Sequence, residues 1–284
     1  MITSSSVSAP TEFAEVEGRT LAYRKIGKGT PLFLAVRFRG TLDVWDPLFL
    51  DELAKHFTVV TFDYTGLGAS TGEPTYIRES LAKDAKDLMD HLGFDRVIMG
   101  GWSLGGVVAQ VVTAIYPERV SHVVLIGTAP PGKPQVPGEA VFMRTAMKPV
   151  NDLEDEHVLF FEPESESSRA AATRSHARIA ERQTDRSPAI AEGTFLKLLS
   201  EATDRTTIFP DADGRYMSYL SDCEKPMLVI GGDHDIACPV DNWYGLSRAW
   251  KTMHLLTIPQ AGHAPHHQEP EFVADAVASF IARH

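Results

Sequence analysis

One serine in this chain stands where it could become reactive. The stretch GGWSLGG, residues 100–106, places Ser103 between pairs of glycines directly after an apolar run. The pentapeptide Gly101-Trp102-Ser103-Leu104-Gly105 is weak evidence by itself. With 21 Gly in 284 residues, chance supplies ~0.1 such matches. A serine hydroxyl is a poor nucleophile at neutral pH and needs an adjacent base, normally an imidazole oriented by a carboxylate. Both types follow downstream in that order. After PMLVI comes Gly232-Asp233-His234-Asp235-Ile236-Ala237-Cys238-Pro239, and after HLLTIPQ comes Ala261-Gly262-His263. Each of the three groups sits at the end of an apolar, strand-like run, where ligand-binding groups gather in doubly wound sheets. Ser103 also precedes a helical pattern, whose N-terminus offers free N–H groups and a favourable field to an oxyanion. The chemistry this implies is acyl transfer: nucleophile Ser103, base His263, and an orienting carboxylate from Asp233 or Asp235.

Other chemistry-bearing residues are open to blander readings. His266 and His267 read as loop or cap residues beyond His263. His234 with its flanking aspartates suggests a metal only weakly, because no further histidine or cysteine stands at ligand spacing. Gly66, Gly68 and Gly72 shape turns, since no Lys-Ser/Thr follows them as in a phosphate-binding loop. Arg37 and Arg39 either attract an anionic substrate or hold their loop by pairing with Asp43 or Asp63.

The elements that must position these groups alternate. TLAYRKI (20–26), PLFLAV (31–36), TVVTFDY (58–64), RVIMGG and VSHVVLIGTA read as strands. Between them lie a helix opened by Asp46-Pro47, with Leu48, Phe49 and Leu53 on one face, and a helix through Ile77, Leu81, Ala85, Leu88 and Leu92 stopped by Gly93. A third helix spans LGGVVAQVVTAIY. Near-continuous apolar strands between helices require a parallel sheet covered on both faces. The rhythm breaks after Gly127. APPGKPQVPG punctuates the chain, and residues 138–212 are helical in composition, with Arg169, Arg174, Arg178 and Arg182 reading as a solvated face. Strand and helix resume at KPMLVIGGD, and the final helix repeats Phe272, Val273, Ala276, Val277, Phe280 and Ile281 as a core stripe.

Bulk properties exclude several roles. The net charge of −11 argues against nucleic acid or an anionic membrane as partner. The two cysteines, Cys223 and Cys238, are too few for a secreted disulfide framework. The start MITSSSVSAPTEF lacks a signal-peptide pattern, and no apolar run approaches bilayer length. The expectation is a cytoplasmic protein acting on a small molecule.

With these motifs in place, the chain resembles the α/β-hydrolase superfamily over nearly its whole length. GWSLG matches the nucleophile elbow, GDHDIACP the Gly-x-x-Asp-x-x-x-Pro acid loop, and AGHAPHHQEPEF the histidine loop. FDYTGLGAST resembles the family's Asp-x-Arg-Gly-x-Gly-x-Ser loop with Thr65 where arginine is usual, and RGTLDVWDP resembles the loop after the third strand. The resemblance implies a doubly wound, mostly parallel sheet, with a core of residues 1–130 and 213–284 and a helical cap at 131–212. It assigns Ser103 as nucleophile, His263 as general base and acid, and Asp235 as its orienting acid. Leu104 would give one oxyanion-hole N–H, and Arg39, or Phe38 if the loop is shifted by one, the other. The family's usual His-Gly in that loop is replaced here by Arg37-Phe38-Arg39-Gly40-Thr41. No cofactor or metal is implied. The leading expectation is hydrolysis of a small ester or lactone. Thioesterase, carbon–carbon bond hydrolase and cofactor-free perhydrolase chemistry are alternatives on the same triad, and a receptor that keeps the triad without turnover is the non-enzymatic one. Phe142, Met143, Met147, Phe160, Phe161 and Phe195 either line a pocket or form the cap's own core.

Overall fold

The apolar runs of the sequence become strands of one sheet. The computed structural model describes residues 5–200 and 207–284. Among them, β1 (Glu12–Val16), β2 (Arg19–Gly27), β3 (Thr30–Ala35), β4 (Phe57–Phe62), β5 (Val97–Trp102), β6 (Val120–Ile126), β7 (Met227–Gly232) and β8 (Met253–Ile258) lie in the order β1-β2-β4-β3-β5-β6-β7-β8. β1 and β2 form an antiparallel hairpin, and β2 pairs antiparallel with β4. Every other pairing is parallel. Every residue of β5 and of β7 is buried, as expected where helices cover both faces of a parallel sheet. The expected α/β, mostly parallel architecture is therefore the one the chain adopts.

The helices that clothe the sheet follow their start and stop signals. α1 (Pro47–Ala54) is capped by Asp46, whose carboxylate accepts from Leu48 N at 3.0 Å, with Pro47 in the first turn. α2 (Arg78–His91) buries Leu81, Ala85 and Leu88. Ile77 precedes this helix instead of joining its apolar face and is 62 % exposed. α3 (Leu104–Ile115) runs directly off β5. Between β6 and β7 come α4 (Ala140–Ala146), α5 (Leu153–Phe160), α6 (Glu166–Ile179), α7 (Glu192–Ser200) and α8 (Arg215–Ser221). The proposed 131–212 insertion contains the first four of these, and its residues 201–206 lie outside the described residues. After β7 come α9 (Asp241–Ser247), then α10 (Pro265–Gln268) and α11 (Pro270–Ile281). α11 buries Val273, Ala274, Val277 and Phe280, whereas Phe272, expected in that stripe, is 54 % exposed.

The arginine run on and just after α6 is a second correction. Arg178 Nε donates to the fully buried Asp46 at 2.8 Å, and buried Arg182 donates to the Ala9 carbonyl and lies 3.8 Å from Asp43. Half of the supposed solvated face thus clamps the helix to the sheet domain.

The strand order puts the site where it is. The chain goes from β3 outward to β4, then returns past β3 to β5, so the direction of winding reverses between β3 and β5. Crossovers leave that point on opposite sides, opening a crevice at the strands' C-terminal ends. The loop after β3 carries Arg37, Phe38 and Arg39, and Ser103 directly follows β5.

Candidate active site

Ser103 sits at φ 57°, ψ −118°, in the one-residue joint between β5 and α3. This backbone region disfavours a residue with a side chain and persists only where surroundings over-determine it. Ser103 N donates to the Ile126 carbonyl at 2.9 Å, and the Thr128 hydroxyl donates to the Ser103 carbonyl at 2.7 Å. The flanking glycines are required by close approach. A Cβ at Gly101 would run into the carbonyl of Gly105, and one at Gly105 into the carbonyl of Ala35 on β3. The sharpness of the joint delivers the hydroxyl into the crevice and leaves the first N–H groups of α3, Leu104 among them, without intrahelical partners.

Asp235 and His263 meet behind this serine. His263 Nδ1 lies 2.9 and 3.0 Å from the two carboxylate oxygens of Asp235. Asp235 Oδ1 also accepts from Ala237 N and Cys238 N, both at 2.8 Å. The carboxylate is thereby fixed in position and charge-stabilised although only 4 % exposed. A carboxylate at Nδ1 keeps the proton there, which leaves Nε2 as the ring's lone-pair nitrogen. Nε2 is buried without a hydrogen-bond partner among the described residues, and both His263 and Ser103 line one cavity of about 820 Å³. No direct Ser103–His263 hydrogen bond is formed here, in keeping with the looser catalytic contacts of unliganded sites. Asp233, the rival acid, instead contacts His234 Nδ1 at 2.7 Å on the exposed side of the loop. That contact raises the His234 pKa. Among the described residues, no cluster of three His, Cys, Asp or Glu is placed to hold a metal ion.

Trp102, which precedes the serine, had no assigned role in the sequence reading. Its indole N–H donates to the His263 carbonyl at 2.8 Å, so strand β5 holds the histidine loop as well as the serine. Gly127 supports the same loop from β6. Its φ is 47°, and a Cβ there would run into the His263 carbonyl. An indole inside the elbow was visible in the sequence, but its partner lies 161 residues away. His266 and His267 are also more than loop residues. Both are buried, with ring centroids 4.7 and 4.9 Å from Trp102. Burial holds His266 well below the ordinary histidine range and lowers His267 to about 4.

The loop after β3 closes the other side. The Gly40 N–H donates to the Arg37 carbonyl at 3.0 Å, and Arg39 adopts φ 56°. Neither the Phe38 nor the Arg39 backbone N–H donates to a protein oxygen among the described residues. Burial pushes the pKa of the nearby Tyr76 hydroxyl up to about 12. The two arginines diverge. Arg39 Nη1 donates to the carbonyls of Ala146 and Lys148 and Nη2 to that of Pro149, at 3.0 Å for the last, with its guanidinium 3.8 Å from the Phe195 ring centre. Arg39 therefore ties the loop to the end of α4. Arg37 lines the cavity and pairs with neither expected carboxylate: Asp43 takes Arg24 at 2.6 Å, and Asp63 accepts from Leu42 N and Ala69 N at 2.7 and 2.9 Å.

Of the apolar candidates, Phe142, Met143, Met147 and Phe160 line the cavity. Phe161 packs with Ala171 and Ala172, and Phe195 is fully buried. The Phe142 ring stands edge-on to His263 at 5.4 Å. No helix among the described residues is long and apolar enough to cross a membrane.

Comparison with known proteins agrees with this architecture. The alpha/beta hydrolase fold family model matches residues 38–270. The chain is 24% identical to a proline iminopeptidase, PfmaB, of Pestalotiopsis fici, covering 96% of this chain and 99% of that one. It is 27% identical to a poly(3-hydroxyalkanoate) depolymerase of Ectopseudomonas oleovorans, over 89% of this chain and 84% of the other. A solved alpha/beta hydrolase fold protein from Chitinophaga pinensis superposes with a TM-score of 0.83 at 27% identity, covering 98% of this chain and 99% of its own.

Proposed function

Because this chain belongs to the α/β-hydrolase family, we propose that it hydrolyses a small ester or lactone through an acyl-enzyme on Ser103. One observation carries the reading: an Asp235–His263 pair whose free Nε2 opens on the same cavity as a serine held in a strained strand-to-helix joint. Ser103 Oγ attacks the substrate carbonyl while His263 Nε2 takes its proton. Asp235 holds the imidazole in orientation and stabilises the imidazolium. The developing oxyanion is bound by the Leu104 N–H and one N–H of the loop after β3. His263 then returns its proton to the leaving alkoxide. Water, deprotonated by His263, attacks the acyl carbon and frees the acid and Ser103.

Residues 131–212 act in this reading as the cap that bounds the substrate, with Phe142, Met143 and Phe160 supplying an apolar wall opposite the serine. A cavity of about 820 Å³ suits a small molecule rather than a polymer chain. The test is turnover of a short aryl ester and a δ-lactone by wild type and by Ser103→Ala. Wild-type turnover of either, lost by at least about 10³-fold in the variant, is expected. Equal rates for the two proteins on both substrates would refute the reading.

A further inference from the structure

Among the arginines enclosed in this fold, Arg37 and Arg78, both lining the cavity with a buried Nε that has no hydrogen-bond partner, stand outside the ion pairs made by the others. Arg19 is paired with Asp84 and Asp87, Arg24 with Asp43, Arg178 with Asp46, and Arg182 with Asp43. Among the described residues, no carboxylate lies within ion-pair distance of Arg37, although Arg37 lines the cavity that holds Ser103 and His263. Its Nη1 donates to the Phe38 carbonyl at 2.8 Å, and its Nε is buried without an acceptor. The guanidinium carbon sits 4.6 Å from the Phe160 ring centre and 5.1 Å from that of Trp102. Two aromatic rings thus hold the fork in place while its hydrogen-bonding capacity is largely unspent. A guanidinium has five N–H donors, and one is accounted for.

We propose that Arg37 binds a carboxylate, or a comparable oxyanion, carried by the substrate close to its scissile carbonyl. The word "scissile" rests on the serine-hydrolase reading above, whereas the anion site does not. Desolvation lowers Arg37 to about 10, which leaves it charged at neutral pH but poorly compensated by its surroundings. Of the charged groups around it, Arg39 repels the Arg37 cation and adds to the attraction for an anion, although its own donors are spent on three backbone carbonyls. Glu156 attracts Arg37 from α5 without reaching ion-pair distance, and it contacts His176 Nδ1 at 2.9 Å. A planar guanidinium facing a desolvated cavity matches a carboxylate bidentately. Position sets where that carboxylate falls. The guanidinium carbon lies 5.1 Å from the ring of Trp102, which precedes Ser103 and whose indole N–H donates to the His263 carbonyl, so the anion site adjoins the reacting centre. The favoured substrate class is therefore the half-ester or lactone of a short dicarboxylic or keto acid.

Two measurements test this, one of which does not require turnover. The first compares kcat/KM for mono-4-nitrophenyl glutarate with that for 4-nitrophenyl butyrate in wild type, Arg37→Met and Arg37→Lys. Wild type should favour the anionic ester at least tenfold. The preference should fall at least tenfold in Arg37→Met, and Arg37→Lys, which keeps charge but not the fork, should fall between. The second measures calorimetric binding of monomethyl glutarate to Ser103→Ala, with and without Arg37→Met or Arg37→Lys, and a Kd increase of at least tenfold for Met is expected. A wild-type preference near one, or a preference and Kd indifferent to both Arg37 substitutions, overturns the anion site. Arg37-dependent binding without cleavage of either ester would leave the anion site standing and remove the hydrolase reading.

Discussion

Ser103 at φ 57° and ψ −118° occupies a conformation that costs on the order of 1–3 kcal/mol, and its neighbours explain why the chain tolerates it. Gly101 and Gly105 allow backbone approaches that any Cβ would block, and the Thr128 hydroxyl and Ile126 carbonyl fix the two sides of the peptide. The residues carrying this arrangement were readable as types in order: serine, acid, histidine. What one-dimensional reading missed were the contacts across long separations. Trp102 reaching the His263 carbonyl and Arg37 standing without a carboxylate are properties of the fold, not of any local window. The buried histidines give a residue-scale prediction. His267 is lowered from 6.5 to about 4, so between those values the unfolded chain binds a proton that the folded chain refuses. Its contribution to stability is complete above pH 6.5 and is lost as pH falls toward 4. Asp63, raised by burial from 3.8 to about 6, works in the opposite sense over the neighbouring range, so a variant comparison is needed to separate them. In urea denaturation, the stability of His267→Leu relative to wild type should improve by about 3 kcal/mol between pH 7 and pH 4. A difference independent of pH would contradict the assignment.

Four strand ends supply the site; three are joined to one another by specific contacts and the fourth to a helix. The elbow after β5 holds the histidine loop after β8 through Trp102, the loop after β7 holds His263 through Asp235, and the loop after β3 holds α4 through Arg39. The same logic attaches α6 to the sheet domain, where Arg178 reaches Asp46 at the start of α1. Asp46 is fully buried and also caps α1. Arg178→Gln should therefore cost about 3 kcal/mol, because it leaves a buried charge without its cation. Adding Asp46→Asn should recover part of that loss, as coupled partners do. An unchanged urea midpoint in the single variant would show that α6 is not anchored here. The elements themselves were legible because apolar runs and Gly, Pro and Asp punctuation act locally. Helix faces were less so: Phe272 and Ile77 fit the apolar spacing but point to solvent, whereas the polar Arg178 and Arg182 point inward. Hydrophobic periodicity carries no signal for an arginine that is buried against a carboxylate on another element.

At the scale of the molecule, one topological fact organises the rest. The winding of the sheet reverses between β3 and β5, so the loop bearing Phe38 and Arg39 and the joint bearing Ser103 face a common crevice. β7 and β8, adding in sequence beyond β6, bring Asp235 and His263 to the same edge. Strand-helix alternation was enough to read the sheet type, and motif order was enough to read which residues would converge. The cavity's character was not readable, because its walls come from helices between β6 and β7 whose packing no local pattern encodes. The central claim is that this convergence makes Ser103 a working nucleophile, and it is tested most directly by intact-mass analysis after exposure to a small fluorophosphonate. The account predicts one adduct on the wild-type chain, none on Ser103→Ala, and labelling slowed by orders of magnitude in His263→Ala. Absence of an adduct on wild type, or an adduct that persists in Ser103→Ala, would contradict it.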